Sequence, residues 1–396
     1  MLYTVDDFNL EGERVLLRVD FNVPLNSRQE ITDDLRIMES LPTIDKIIHD
    51  GGVPIILSHL GRPQGKWVTR FSLETVAEHL EKKFDYNVIF APDCLGKAPY
   101  DAIKKAKPGD VVLLENLRFY NYEVSNDKEF AKILSQYGDV YVNDAFGTVH
   151  RYHSSIYELP KLFETRLAGK SLTWELEYLG NALSNVSHPY VGIIGGAKIS
   201  DKINVIRKLI EACDSILIGG GMMFTFYKAM DIEIGRSIFE AEKVDLAKEL
   251  IEEAKKNNCN LVLPVDTVIA GHYSKDANHK VVNIEKIPSD WMGMDIGPKS
   301  QNLFAEEILK ARTVVWNGPM GVFEMEHFAK GTFAVANALA KVTAKGAVTI
   351  IGGGDSGAAI KKMNFMNRVT HVTPGGGAWL KYMEGKGLPG VEVLDK

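Results

Sequence analysis

The residues best equipped for chemistry in the first half of the chain sit just past short apolar runs. RVLLRVDFN (14–22) ends in Asp20 and Asn22, VPIILSHLGR (53–62) in His59 and Arg62, and VVLLENLRF (111–119) in Arg118. VYVNDAFGTVHR (140–151) ends in His150 and Arg151, with His153 just beyond, and Arg36 follows the first run. Guanidinium forks suit bidentate binding of phosphate and carboxylate, while Asp20 and Asn22 can accept hydroxyl donors from the same ligand. In the second half the runs empty into glycine: YVGIIGGAK (190–198), SILIGGGMM (215–223), TVVWNGPMG (313–321), VTIIGGGDS (348–356) and THVTPGGGA (370–378). Glycine lets backbone N–H groups approach an anion closely, and successive amides form a concave nest for it. One half offers cations and the other amides, which points to two phosphate-bearing partners held on facing domains.

The glycine-ended motifs each have a plainer reading. GGAKISDK (195–202) opens a helix whose apolar face is Ile203, Ile206, Leu209 and Ile210, with Ser200 placed as its N-cap. Lys198 then lies just before the first turn and Lys202 within it. Cations there oppose the helix dipole at a cost of ~0.3–1 kcal/mol each, unless an anion shares the terminus with them. The alternative is two solvated lysines pointing away. GGGDSG (352–357) formally matches GxGxxG, but residues 366–383 hold no acid to grip a ribose. Asp355 is either an N-cap or a carboxylate beside an amide cradle, where a Mg²⁺ bridging phosphates would be held. No GxxxxGK[ST] occurs, which excludes a P-loop. His150 and His153 form an HxxH pair, but no further ligand pattern supports zinc.

Strands followed by helices must carry these groups. FSLETVAEHLEKKF (71–84) puts Leu73, Val76, Ala77 and Leu80 on one face, and 127–137, 201–213 and 242–257 show the same period. Buried strands alternating with amphipathic helices mean βαβ units and a mostly parallel sheet, with ligands beyond the carboxyl ends of the strands. A chain of 396 residues suggests two to three domains. The stretch 171–186 reads as a helix joining the two series, so that 1–170 with the tail 380–396 forms one domain and 187–379 the other. A net charge of −6 leaves no nucleic-acid footprint. Three dispersed cysteines, Cys94, Cys213 and Cys259, argue for a reducing compartment. No apolar run approaches the ~20 residues of a membrane span, and the N-terminus lacks a secretory pattern. The expectation is a cytoplasmic protein without membrane or nucleic-acid partners.

The chain resembles the phosphoglycerate kinase family from about residue 3 to its end. RVDFNVP, ITDDLRI, SHLGRP, LLENLRF, VNDAFGTVHR, GGAKISDK, MGMDIGP, WNGPMGVFE and GGGDS stand in the family's order and spacing. The resemblance implies an α/β fold of two doubly wound, Rossmann-like parallel-sheet domains facing a cleft and joined by a helix, with the tail packed on the first. It implies reversible phosphoryl transfer between ATP and the carboxylate of 3-phosphoglycerate, the glycolytic interconversion with 1,3-bisphosphoglycerate and ADP, by a monomer.

Residue by residue, it assigns phosphoglycerate to Asp20, Phe21, Asn22, Arg36, His59, Leu60, Gly61, Arg62, Arg118 and Arg151. The nucleotide falls to Lys198, Lys202, Gly219, Gly220, Gly293, Asn317, Pro319, Glu324, Gly352, Gly353, Gly354, Asp355 and Ser356, with Mg²⁺ on Asp355. Arg36, Lys198, Lys202, Gly354 and Gly376 are the expected catalytic set. Lys198 would meet the migrating phosphoryl, Arg36 the acceptor carboxylate, Lys202 the nucleotide phosphates, and the amides of Gly375–Gly377 would complete the cradle. The last cluster departs from the family at Pro374, Trp379 and Lys381, and so does segment 155–169, where hinge behaviour is expected to differ. Two alternatives stand beside this reading: an NAD-dependent dehydrogenase, which the missing acid argues against, and a non-catalytic two-lobed anion-binding protein.

Overall fold

The computed structural model describes residues 2–184, 186–373 and 375–395; Pro374, singled out above, lies outside the described residues. The chain divides into two compact units, Met1–Glu177 with Gly387–Lys396, and Tyr178–Lys386. The division falls inside the helix Lys170–Ser184. The tail joins the first unit only from Gly387 onward.

In the first unit, β1 (Arg14–Arg18), β2 (Val53–Leu57), β3 (Asn87–Ala91), β4 (Asp110–Leu114), β5 (Val140–Asn143) and β6 (Arg166–Ala168) form one parallel sheet. The strand order is β3-β4-β2-β1-β5-β6. From β1 the chain steps to β2 and on to the edge strand β3, returns to β4 between β3 and β2, and then crosses over to β5, so the switch point lies between β1 and β5. There Leu17 pairs with Val142 and Arg18 with Asn143. Side chains of β1, β2, β4 and β5 are buried on both faces, the reason these strands read as unbroken apolar runs. Val15, Leu17, Ile44, Ile47, Ile56 and Leu113 share one core, each side chain stabilising the fold by about 1.5–3 kcal/mol. The helix Glu74–Phe84 buries Val76, Ala77 and Leu80, the face read from the sequence. The tail docks here: Gly390 N–H donates to the Val149 carbonyl at 2.8 Å, and a Cβ on Gly390 would stand 2.6 Å from Ile156.

The second unit repeats the plan. β7 (Tyr190–Ile194), β8 (Ser215–Ile218), β9 (Asn260–Val262), β13 (Thr313–Asn317), β14 (Val348–Gly352) and β15 (His371–Thr373) pair in parallel, in the order β15-β14-β13-β7-β8-β9. Its switch point lies between β7 and β13, where Ile194 pairs with Asn317. A second sheet, β11-β10-β12, is antiparallel, built from β10 (Asp266–Ala270), β11 (His279–Asn283) and β12 (Met292–Ile296). Its outer strand β11 is almost wholly exposed, and so carries no apolar run for a sequence reading to find.

Candidate functional site

In the first unit the basic residues follow the carboxyl ends of β2, β4 and β5, Asp20 and Asn22 follow that of β1, and Arg36 lies in the first turn of the helix Leu35–His49. Arg36 Nη1 pairs with Asp20 Oδ2 at 2.9 Å. Asn22 Oδ1 accepts the Gly61 N–H at 2.8 Å, and Arg118 Nη1 donates to the Gly61 carbonyl at 2.8 Å. The β2 loop is therefore clamped between the ends of β1 and β4. A cavity of about 500 Å³ is lined by Asn22, Leu60 and Gly61 together with Arg70 and Phe71. Phe21 is a core side chain whose N–H is already held by Ser58 Oγ at 2.9 Å.

The cations act on one another. Burial, then Arg18 and Arg151, pulls the Arg118 guanidinium down to about 10. Arg151 is lowered by burial, by Arg62 and by Arg18, with Asp20 opposing. Burial and then Arg118, Arg18, Arg36 and Arg151 hold His59 well below the usual imidazole range. Burial, then Arg118, Arg151 and Arg18, pushes His153 to about 3, against the charged form. Arg118 Nε and Nη2 are buried with no hydrogen-bond partner among the described residues. Buried guanidinium donors left open carry a desolvation cost that an anion would offset. Among the described residues no cluster of three or more potential metal ligands includes the HxxH pair. Arg151 Nε instead donates to His150 Nε2 at 3.2 Å.

Sequence reading passed over Arg18, Ser155 and Glu123, which lie fully buried beside this cluster. Arg18 had a signal, a charge closing the apolar run VLLR, whereas the other two look like ordinary loop residues.

In the second unit the strand ends interlock through glycine. Gly195 N–H donates to the Asn317 carbonyl and Gly196 N–H to the Pro319 carbonyl, both at 2.9 Å. Asn317 Nδ2 donates to the Gly352 carbonyl at 2.7 Å, and Gly318 N–H to Ser356 Oγ at 2.6 Å. Lys202 Nζ reaches the carbonyls of Gly195 at 2.8 Å and Asn317 at 3.2 Å. Burial lowers Lys202 to about 8, against the pull of Asp355 and Asp201. Gly353 has φ +101°, and a Cβ there would stand 2.7 Å from Asn317 Nδ2. A Cβ on Gly376 would stand 2.9 Å from the Gly353 Cα. The helices Gly354–Lys362 and Gly376–Met383 therefore begin side by side, and their free N–H groups point positive dipole ends at one place.

Two local expectations change. Ser200 does not cap the helix Ile203–Ala212; Lys202 occupies that position. The Ser200 hydroxyl and N–H are both taken by the Glu240 carboxylate, at 2.5 and 3.0 Å, a partner forty residues away that local sequence cannot show. Asp355 is likewise not an N-cap, since Gly353 holds that position and Asp355 lies in the first turn, exposed. Trp379 is fully buried with its indole where a Cβ on Gly352 would be, 2.3 Å away. It packs under the strand end and does not enter the cradle.

A cavity of about 510 Å³ opens beside these loops, lined by Gly196, Gly220, Gly293, Pro319, Glu324 and Asp355. Its apolar wall is Phe224, Ile238, Met292, Met294 and Val322, with Tyr273 at the margin. Sequence reading missed that wall, because apolar residues of helices and of the antiparallel sheet look like core. Gly293 keeps the cavity open, since a Cβ there would stand 2.0 Å from the Phe224 ring. Lys198 is exposed on the loop between β7 and its helix. Asp355 stands exposed at the cavity's edge, a hard carboxylate oxygen donor of the kind a Mg²⁺ would take.

Comparison with known proteins follows this geometry. The family model described as phosphoglycerate kinase matches residues 5–386. The phosphoglycerate kinase of Chloroherpeton thalassium is 51% identical over 391 residues, covering 99% of this chain and 98% of that protein. That of Chlorobaculum tepidum is 50% identical over 392 residues, covering 99% of each. Among solved structures, phosphoglycerate kinase from Coxiella burnetii superposes with a TM-score of 0.88 at 39% identity, covering 100% of this chain and 99% of that one. The Pyrococcus horikoshii enzyme gives 0.85 at 31%, covering 99% and 98%.

Proposed function

Since the chain belongs to the phosphoglycerate kinase family, we propose that its two loop rims divide one phosphoryl transfer between them. The reaction is reversible transfer between ATP and the carboxylate of 3-phosphoglycerate, a kinase step of glycolysis. The relatives are kinases, which leaves the dehydrogenase and the inert anion-binding readings without support.

Phosphoglycerate belongs to the first unit, and the open guanidinium donors of buried Arg118 carry that assignment. Arg62, Arg118 and Arg151 take the ester phosphate, and Asp20 and Asn22 accept from the hydroxyl. Arg36, oriented by Asp20, holds the acceptor carboxylate. With a reference pKa of ~4 that carboxylate is already ionised at neutral pH, so no general base is required.

The apolar cavity of the second unit takes the base, with Glu324 at its polar edge. Lys202 and the amides at the two helix starts hold the phosphates, and Lys198 meets the migrating phosphoryl. Asp355 would hold Mg²⁺, whose charge would offset that of the phosphate oxygens. The chain's own part is positioning and neutralisation of charge on the transferring oxygens, with water excluded because an acyl phosphate hydrolyses. The reading extends to a cytoplasmic monomer serving small molecules only. The test is a coupled assay with MgATP and 3-phosphoglycerate: ADP release should require both, and equal release without the acceptor would overturn it.

A further inference from the structure

The geometry points to Ser155 and Glu123 as positioning residues that act through Arg18 to hold His59 as its Nε2–H tautomer. The inference rests on the phosphoglycerate reading above only for its consequence, not for its geometry.

Arg18 Nη2 lies 3.2 Å from His59 Nδ1. A guanidinium has donors and no acceptor, so Nδ1 must offer its lone pair and the ring proton must sit on Nε2. Double protonation would set an N–H against that donor. Burial and the surrounding arginines already disfavour it.

Arg18 has no freedom to turn away. Its Nε donates to Ser155 Oγ at 2.8 Å, and its Nη1 donates to the Val19 carbonyl. Ser155 can accept from Arg18 because its own proton is committed: Oγ–H donates to Glu123 Oε1 at 2.6 Å, while its N–H donates to Glu123 Oε2 at 2.9 Å. Arg18, Ser155 and Glu123 are all fully buried, so water does not compete for these bonds.

Beyond the imidazole, Nε2 stands 3.8 Å from Asp20 Oδ1, and Asp20 Oδ2 holds Arg36. A buried hydrogen-bonded chain thus runs from Glu123 to His59, whose far nitrogen faces the half-buried Asp20–Arg36 pair. Its consequence is that His59 presents an uncharged N–H donor, not a lone pair, to the acceptor substrate. A histidine on the other tautomer would repel the oxygens it faces.

The test reads the tautomer directly, by long-range ¹H–¹⁵N NMR of His59 in the ligand-free full chain, with His59→Gln used only for assignment. The wild type should show protonation at Nε2 alone. Ser155→Ala should mix tautomers and raise KM for 3-phosphoglycerate roughly tenfold, the loss of one charge-assisted hydrogen bond, with kcat and KM for ATP little changed. Ser155→Thr, which keeps the hydroxyl, should restore both. If Ser155→Ala fails to fold, Glu123→Gln should mix the tautomers in the same direction. A wild-type His59 protonated at Nδ1, or a Ser155→Ala protein unchanged in tautomer and KM, overturns the relay. The expected tautomer shift accompanied by a rise in KM for ATP alone would instead remove the phosphoglycerate assignment while the relay stood.

Discussion

Arg118 shows how one side chain can identify a ligand class. It lies buried with Nη1 bonded to Gly61, while Nε and Nη2 have no partner among the described residues. Arg118→Ala should raise KM for 3-phosphoglycerate by about 10- to 100-fold, the range for a lost hydrogen bond between charged groups. KM for ATP should stay near wild type in steady-state kinetics, and equal losses would undo the assignment.

Lys202 makes a second prediction. Burial brings its pKa from the ordinary lysine range to about 8, and a bound phosphate favours the ammonium form. Nucleotide binding at pH 8–8.5 should therefore take up a proton, measurable by calorimetry in buffers of different ionisation enthalpy, and Lys202→Met should abolish that uptake. For folding the sign is opposite in effect. The unfolded lysine binds its proton up to a higher pH, so this group's contribution rises as pH climbs from about 8 to the ordinary lysine value.

At the scale of elements, the strand-to-helix turns of the second unit place amides where side chains cannot fit. Gly353 combines a positive φ with a 2.7 Å approach to Asn317. Gly353→Ala should lower stability by roughly 1–3 kcal/mol in denaturant unfolding and raise KM for ATP far more than KM for 3-phosphoglycerate. The helix Gly376–Met383 begins at the cradle, yet its Trp379 faces inward against Gly352. Trp379→Ala should therefore cost about 3–5 kcal/mol, as expected for a fully buried tryptophan. A loss below about 1 kcal/mol would mean the indole is not part of the packing.

For the whole molecule, separate ligand assignments predict separable stabilisation, because each ligand stabilises the folded state by its own occupancy. Wild-type protein should gain Tm with MgATP and with 3-phosphoglycerate. Arg118→Ala should lose the second gain and keep the first, as read by calorimetric scans. Two parallel sheets were legible because their central strands are buried on both faces and read as apolar runs. The antiparallel sheet was not, because its outer strand β11 is exposed and carries no apolar run. The basic and glycine-rich rims were legible because in parallel sheets the ligand-facing residues directly follow the strands in sequence. Ser200, by contrast, fitted a local capping rule, and only the distant carboxylate of Glu240 overrode it.

The amino-acid sequence by itself determined the two winding series, the family, the reaction and most of the loop-tip residues. The winding series and the loop tips follow from local pattern, which residue type comes next after a strand, while the family and the reaction follow from the resemblance that the motifs carry. Tertiary structure alone decided which donors stay open, which lysine is buried, where Trp379 points and how Glu123 reaches His59. Those outcomes depend on partners tens of residues distant, brought together only when the sheets assemble and water is removed from between them.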